Sequence, residues 1–335
     1  MTRVTVLVPN YNGGKYLGQC LASIRRQTFD AWHAVVADNA SDDDSVSIVH
    51  SITDTRFRLV ERPRTISPVA NFNLLLAEID TEYAVMLTAD DWWEPTFLER
   101  IVGLLDRHPD SLMAACAVRV MEGNNPVEVL GLHQLWPTER GTSCPPAATL
   151  RFLVSKRNRL YLPAVLTRRE LYERLPPFEE SFVSDWLMFV RAAVKAPVAV
   201  CPEPLVNYRR HHESLTAHAG RADLWGLELV KALKVLQSDW AGTELPFADA
   251  ARTLARSFTL KLLVGAYHKS LGGDRSGALF YSRLARSSAP SANLRAFAFW
   301  CEKVTWLCTS RPLSPLGRPA LRWLRPLEDN FRGRW

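Results

Sequence analysis

Residues 83–95 constrain this chain more than any other stretch: an apolar run from Tyr83 through Val85 and Leu87 stops abruptly at two adjacent carboxylates, Asp90 and Asp91. A run this short, bounded by polar residues, predicts a buried central strand rather than a helix. Open α/β sheets bind ligands at the carboxyl ends of their strands, which is where these acids fall. Two carboxylates so close repel unless a cation lies between them, and an all-oxygen site suits Mg²⁺ or Mn²⁺. The competing reading is a helix cap, since Asp91 precedes a periodic segment (Phe97, Leu98, Ile101, Val102, Leu105) and Asp caps helices well. Taken alone, the stretch favours the cap; the rest of the chain reverses the order.

The flanking sequence alternates between two periods. Residues 4–8 predict a buried strand stopped by Pro9, and Asn10, Tyr11, Asn12, Gly13 and Gly14 predict a turn. Tyr16, Leu17, Cys20, Leu21 and Ile24 then mark one helix face. Residues 32–37 predict a second strand, ending at Asp38. Ser41 is placed to cap a helix through Val46, Val49 and Ile52, with acids in its first turn to suit the dipole. A third strand over 57–60 and a third helix over 69–79 lead into the central run. Alternating strands and helices imply a parallel sheet covered on both faces with right-handed crossovers. No GxGxxG follows the first strand, which argues against a dinucleotide oxidoreductase.

Composition narrows the partners. The 335 residues are 47% apolar and 23% charged, enough for a full core plus a smaller second unit. The net charge of +6 makes an acidic partner plausible, such as a nucleotide diphosphate or an anionic membrane surface. No finger, helix-turn-helix or RNA-binding signature is present, so nucleic acid is not expected. Six cysteines (Cys20, Cys116, Cys144, Cys201, Cys301, Cys308) form no CxxC pair and read as free buried thiols of a reducing compartment. The first apolar run is too short for a signal peptide, and no stretch approaches the ~20 apolar residues of a membrane span. A cytoplasmic protein is expected.

Four segments in order then carry a resemblance. Val8 to Asn12, Gln27 to Phe29, Val36 to Asp43 and Leu87 to Pro95 closely resemble the family 2 glycosyltransferases, inverting enzymes with a Rossmann-like fold called GT-A that binds nucleotide-diphosphate sugars. The likeness continues through Tyr208, Arg209, Arg210, His211, His212 and Ser214, over about two-thirds of the chain. Each motif is weak by itself; their order and spacing are not. Two departures accompany it. Thr88 stands where the family usually has the first Asp of its metal motif, which implies a reduced ligand set. Ser184 precedes Asp185 where the family commonly has Glu.

The resemblance implies roles. Asp90 is the metal ligand, direct or through water, with Asp91 assisting or orienting it, and His211 joins the metal or contacts the diphosphate. Asp38 accepts a hydrogen bond from the nucleotide base, Pro9 and Tyr11 shape the opposite wall, and Arg209 could pair with phosphate oxygens. Asp43 is open between a ligand role and a helix start. Asp185, at the start of a helix through Trp186, Leu187, Phe189 and Val190, is the base for the acceptor hydroxyl, with partial burial beside Trp186 expected to raise its pKa. Glu179 and Glu180 are the rival bases. A divalent cation, Mg²⁺ or Mn²⁺, offsets the charge that develops on the leaving diphosphate.

The expected organisation is a mostly parallel GT-A sheet with helices on both faces over 1–216, and an α-helical appendage over 217–335. The appendage rests on helical spacing of Leu227, Val230, Leu233 and Leu236, and later of Leu254, Phe258, Leu262 and Leu263. Near the end, Phe297, Trp300 and Trp306 give way to Arg311, Arg318, Arg322, Trp323 and Arg325. That mixture suits a membrane interface or a helix packed on the catalytic unit with a solvated basic face. The expected reaction moves a sugar from a nucleotide-diphosphate donor to a glycan or lipid-linked acceptor, with acceptor choice in loops such as 120–144. A sugar nucleotidyltransferase would want a basic Gly-rich loop after the first strand, which Asn10 to Lys15 fits poorly. An inactive nucleotide-sugar-binding or membrane-scaffold protein draws on Thr88, and the joint presence of Asp38, Asp90, Asp185 and His211 counts against it.

Overall fold

The structure, a computed structural model, describes residues 1–130, 143–156, 160–214, 225–239 and 274–296, with further positions between 255 and 303. The chain divides into two compact units, Met1–His218 and Ala219–Trp335.

In the first unit β1 (Val4–Asn10), α1 (Gly14–Arg25), β2 (Trp32–Asp38), α2 (Ser45–His50), β3 (Phe57–Glu61), α3 (Pro68–Leu76) and β4 (Tyr83–Met86) alternate in the expected order. β5 (Trp92–Trp93), α4 (Phe97–Arg107), β6 (Met113–Glu122), β7 (Asn125–Leu130), β8 (Ser143–Cys144) and α5 (Pro146–Lys156) follow. The unit continues through β9 (Val165–Arg168), α6 (Arg169–Arg174), α7 (Ser184–Lys195) and β10 (Val198–Arg209). The strands make one sheet in the order β3-β2-β1-β4-β9-β6-β10-β5, with β7 beside β6 and β8 beside β10.

β3, β2, β1 and β4 pair in parallel, so their carboxyl ends line one edge. β9 enters antiparallel between β4 and β6, and β10 pairs parallel to β6, so the long strands share one direction and the sheet is mostly parallel. Val4, Val6, Val8, Ala34 and Val36 pack with Leu17, Leu21 and Ile24 of α1 and Leu98, Ile101 and Leu105 of α4. The alternate residues Leu7, Val35, Ala37 and Met86 are equally buried on the other face, where α3 lies against β1 and β2. Burial on both faces explains why these strands are continuously apolar.

Two boundaries differ from expectation for local reasons. Pro9 does not stop β1, which runs to Asn10 beside Asp38. β4 pairs with β1 only as far as Leu7, so the missing Pro9 N–H breaks no ladder bond on that side. Ser41 does not cap α2; that helix starts at Ser45, and Ser41 is engaged elsewhere. Cys20, Cys116, Cys144 and Cys201 are buried free thiols, as expected.

In the second unit α8 (Trp225–Asp239) and α9 (Arg275–Ser288) are helical. Asp274 caps α9 by accepting from the Gly277 N–H, and Leu262, Leu263, Ala266, Tyr281, Ala285 and Ala298 form a small core. Leu254, Phe258, Phe297, Trp300 and the aromatic–basic stretch 304–335 lie outside the described residues, as does the loop 131–142. No helix among the described residues is long and apolar enough to cross a membrane.

Candidate active site

The carboxyl edge of β1 and β2 is knotted around Asp38. Its Oδ1 accepts from Asn10 Nδ2 at 2.7 Å and from the Ser41 hydroxyl at 2.6 Å, and its Oδ2 accepts from the Ser41 N–H at 2.9 Å. Ser41 Oγ in turn accepts from the Asn12 N–H, and Asn12 Oδ1 accepts from the Asp42 N–H. Asn12 (φ 50°) and Ala40 (φ 58°) are the non-glycine residues with positive φ among the described residues, and both lie in these turns. Such strain persists where surrounding bonds over-determine it. Asp38 is therefore almost wholly buried, with three of the four lone-pair positions of a carboxylate already used.

Asp43 resolves to a structural post. It accepts from the Gly14 and Ser45 N–H groups, joining the starts of α1 and α2. Burial works against its charge, yet the Ser45 side chain and then these amide bonds hold its pKa below the usual value. Gly13 is required for a different reason: a Cβ there would meet Asn10 Oδ1 at 2.3 Å and Ala89 Cβ at 3.2 Å. Pro9 is buried in β1, while Tyr11, at the end of that strand, is 55% exposed.

The two central acids have opposite fates. Asp91 is buried, and its oxygens accept from the Thr88 hydroxyl at 2.6 Å and the Arg209 N–H at 2.7 Å. Burial, and then the charge of Asp90, push its pKa well above the ordinary carboxylate range. It is no helix cap, because α4 begins at Phe97 after Thr96. Its place is beneath the loop, holding Asp90 up, which favours the orienting part of the expected role over direct ligation. Thr88, the family departure, supplies one of the bonds that fix it.

Asp90 meets His211 across 121 residues of sequence, with Oδ2 and Nε2 3.1 Å apart. The imidazole lies against Tyr16, ring centroids 5.1 Å apart. Its Nδ1 is buried without a hydrogen bond; Glu213 stands 3.9 Å away, too far for one. A separation of 3.1 Å matches two adjacent ligands of an octahedral cation, about 3 Å apart at metal–ligand distances of ~2.1 Å. Among the described residues no third His, Cys, Asp or Glu joins them. Mg²⁺ commonly takes one or two carboxylates and completes its shell with substrate phosphates and water, so Asp90 fits such an ion, with the His211 imidazole as a softer second ligand.

Arg209 is held by its neighbours in the fold. Its Nε donates to the Asp90 carbonyl at 3.0 Å, Nη1 to the Gly123 carbonyl at 3.0 Å and Nη2 to Gln19 Oε1 at 2.7 Å. The guanidinium also lies 4.5 Å from the ring centroid of Tyr16 and 4.6 Å from that of Trp92. Three of its five N–H donors clamp the acidic loop to its neighbours, and two remain for the phosphate contact that the resemblance implies.

Asp185 lies in the first turn of α7, half-buried, with Oδ1 accepting from the Trp186 N–H at 2.7 Å. Trp186 is buried and donates its indole N–H to the Leu153 carbonyl. The rival bases are committed elsewhere: Glu179 accepts from Arg191 Nη2 at 2.9 Å, and Glu180 from the Ser67 hydroxyl at 2.6 Å. Ser67 also caps α3, and Asn39 holds the adjacent Ile66 by two bonds to its backbone. The approach to α7 is thereby fastened to the loops after β2 and β3, on the edge that carries Asp38.

Sequence reasoning misses the parts that Asn10, Tyr16, Gln19 and Ser41 play in the site. Helical spacing puts Tyr16 on the apolar face of α1, and in the structure its ring supports His211 and Arg209. A small polar residue at each strand end, Asn10 and Asn39, was the legible signal for the turn network.

Known proteins resemble this architecture. Residues 5–167 match the family described as glycosyl transferase family 2. An uncharacterised protein of Mycobacterium tuberculosis is 26% identical over 233 residues, which are 66% of this chain and 63% of that protein. The match thus spans less than two-thirds of the relative's length. Poly(ribitol-phosphate) β-N-acetylglucosaminyltransferase TarS of Staphylococcus aureus is 24% identical over 251 residues, 71% of this chain and 41% of TarS. A crystal structure of TarS residues 1–349 superposes with a TM-score of 0.66 at 16% identity, covering 92% of this chain and 90% of that one. A mannosyltransferase of Pyrobaculum calidifontis, in complex with GDP-Man and Mn²⁺, gives a TM-score of 0.56 at 19% identity, covering 97% and 84%.

Proposed function

From the premise that residues 5–167 belong to glycosyl transferase family 2, we propose that this chain transfers a sugar, with inversion, from a nucleoside diphosphate donor to a hydroxyl of a glycan or lipid-linked acceptor. The setting is synthesis of a bacterial-type surface polysaccharide. The observation that carries this reading is the Asp90–His211 pair, assembled at the carboxyl edge of the sheet from two distant segments. Solved neighbours point the same way: TarS has been crystallised with UDP-GlcNAc, and the Pyrobaculum enzyme with GDP-Man and Mn²⁺.

The chemistry follows from the residues. The acceptor oxygen attacks the anomeric carbon, the bond to the diphosphate oxygen breaks, and the nucleoside diphosphate leaves with the electron pair. Asp185 takes the proton from the acceptor hydroxyl as the new bond forms. Asp90 and His211 would hold Mg²⁺ or Mn²⁺, and such a cation would neutralise charge on the leaving diphosphate. Asp91, Thr88 and Arg209 keep Asp90 in place, and Asp38 and Tyr11 border the nucleotide. The catalytic unit is assigned to 1–216 and a helical appendage to 217–335, in a cytoplasmic protein that touches the inner face of the membrane through its basic C-terminal stretch.

The test is a panel of nucleotide sugars assayed with Mn²⁺, with Mg²⁺ and with chelator, scored for donor hydrolysis and sugar transfer. Metal-dependent turnover of one donor is expected. Activity unaffected by chelator would remove the cation from this mechanism, and no turnover or binding of any donor would sink the reading.

A further inference from the structure

The segment 175–183 joins α6 to α7 and leads the chain to Asp185, the second residue of α7. Pro176 and Pro177 have no N–H to give, so the first backbone donor after them is that of Phe178. Asn73, on α3, takes that N–H at Oδ1 (2.8 Å) and returns a bond from Nδ2 to the Phe178 carbonyl (2.9 Å). The two residues are 105 positions apart. A reciprocal pair of bonds from one amide fixes both the position and the orientation of Phe178. A carboxylate or a hydrocarbon of the same length cannot both donate and accept. The residues that follow are tied in turn: Glu179 accepts from Arg191, Glu180 from the Ser67 hydroxyl, and Ser181 Oγ from the Val183 N–H.

α7 does not need these ties to stay in place, because nine of its twelve residues are buried and anchor the helix by themselves. Packing does not hold the segment on its other side either. Leu175, Pro176 and Pro177 border a cavity of about 410 Å³ together with Asn73, Leu76 and Ala77. Beside that cavity the two Asn73 bonds, and the Phe72 ring edge-on to Phe178 at 6.1 Å, are what locate the chain. The ties therefore fix where the chain enters α7, which is where Asp185 stands.

Resting on the glycosyl-transfer reading above, we propose that Asn73 is a positioning residue for transfer: its grip on Phe178 sets the entry to α7 so that the Asp185 carboxylate meets the acceptor hydroxyl. A general base works only within hydrogen-bond reach of the proton it takes, about 2.6–3.2 Å. A misplacement of about 1 Å, even from a change far from the chemistry, costs about 100-fold in rate. Side chains that lock a catalytic group from behind supply that precision. Asn73 touches neither donor nor acceptor in this role and acts through Asp185 alone.

The experiment is steady-state kinetics of the full chain with the donor that the nucleotide-sugar panel turns over, for the wild type, Asn73→Ala, Asp185→Asn and the double variant. Calorimetric titration with the matching nucleoside diphosphate in Mn²⁺ runs alongside. Asn73→Ala should lower kcat by about 10- to 100-fold and change donor KM and nucleotide affinity by less than about 2-fold. The double variant should be no slower than Asp185→Asn, because without the base there is nothing left for Asn73 to position. Losses that multiply in the double variant, or an affinity that falls together with kcat, would show a general structural role and overturn the proposal. Near-wild-type turnover of Asn73→Ala, or of Asp185→Asn, overturns it too. If Asn73→Ala does not fold, Glu180→Ala loosens the same segment from an exposed side chain. A loss of kcat that disappears in the Asp185→Asn background then supports the proposal, and an unchanged kcat or a multiplying loss overturns it. A wild type that neither turns over nor binds any donor overturns the glycosyl-transfer reading itself, and the proposal with it.

Discussion

Asp90 and Asp91 are adjacent and chemically identical, yet the fold gives them different work. One is sealed beneath the loop with both oxygens bonded; the other stands 3.1 Å from an imidazole. Asp90→Ala should abolish transfer and weaken donor binding in Mn²⁺, whereas the fold should survive, since the Asp90 side chain supports no buried network. Thermal denaturation alongside a donor titration checks both halves. Asp91→Ala should instead lower stability, because it leaves the buried Arg209 N–H without an acceptor, whereas Asp91→Asn, which can accept from that N–H and donate to the Thr88 hydroxyl, should cost little. For Asp185→Asn the rate should fall by about 100- to 10,000-fold with donor affinity little changed, measured in steady-state kinetics. Near-normal turnover in that variant would return Glu179 or Glu180 to consideration despite their present partners.

Elements reach the site through few ties. β10 delivers Arg209 and His211 to the acidic loop, and the guanidinium bridges that loop, α1 and the β6–β7 turn. Arg209→Met should loosen the Asp90–His211 pair and cut turnover far more than nucleotide binding; equal losses in both would show a direct phosphate contact instead. Gly13→Ala forces a methyl against the Asn10 amide and Ala89, so the turn over Asp38 must open, with destabilisation of about 1–3 kcal/mol by denaturant unfolding.

At the opposite end of these strands, Arg3 and the Tyr83 hydroxyl donate to Asp106, tying β1 and β4 to α4. The bond from Arg3, then that from Tyr83, outweigh burial and lower the Asp106 pKa. A depressed carboxylate stabilises the fold above the unfolded value of about 3.9 and loses that contribution as pH falls below it. Asp106→Asn should cost about 1 kcal/mol at pH 7, kept small by solvent screening, and the difference from wild type should shrink below about pH 4. A gap that stays constant down to pH 3 would mean the charge is not what matters.

At the scale of the whole molecule, the basic C-terminal stretch offers a further test. In the sequence, Arg311, Arg318, Arg322, Arg325, Arg332 and Arg334 are offset in charge only by Glu328 and Asp329, with Trp306, Trp323 and Trp335 interspersed. Each Arg near an anionic leaflet contributes about 1 kcal/mol, so salt-sensitive binding to anionic liposomes and none to neutral ones is expected. Removing residues 311–335 should abolish it and spare donor hydrolysis. If the shortened chain unfolds or loses its donor, the stretch belongs to the folded body rather than to a membrane surface.

The sequence by itself determined that strands and helices alternate over the first half of the unit and that the sheet there is parallel, because continuous apolar runs and helical spacing are local properties written into consecutive residues; the order β3-β2-β1-β4 came from the structure. It also pointed to the stretches around Asp38, Asp90, Asp185 and His211, because strand ends are legible as abrupt changes of polarity. Only the tertiary structure decided which acid is buried, that Arg209 clamps the acidic loop, and that Glu179 and Glu180 are bonded to Arg191 and Ser67. Those facts depend on partners 12 to 190 residues away in the chain. Hydrogen-bond saturation is a property of three-dimensional neighbourhoods, and residue type and spacing carry no record of which donor reaches which acceptor.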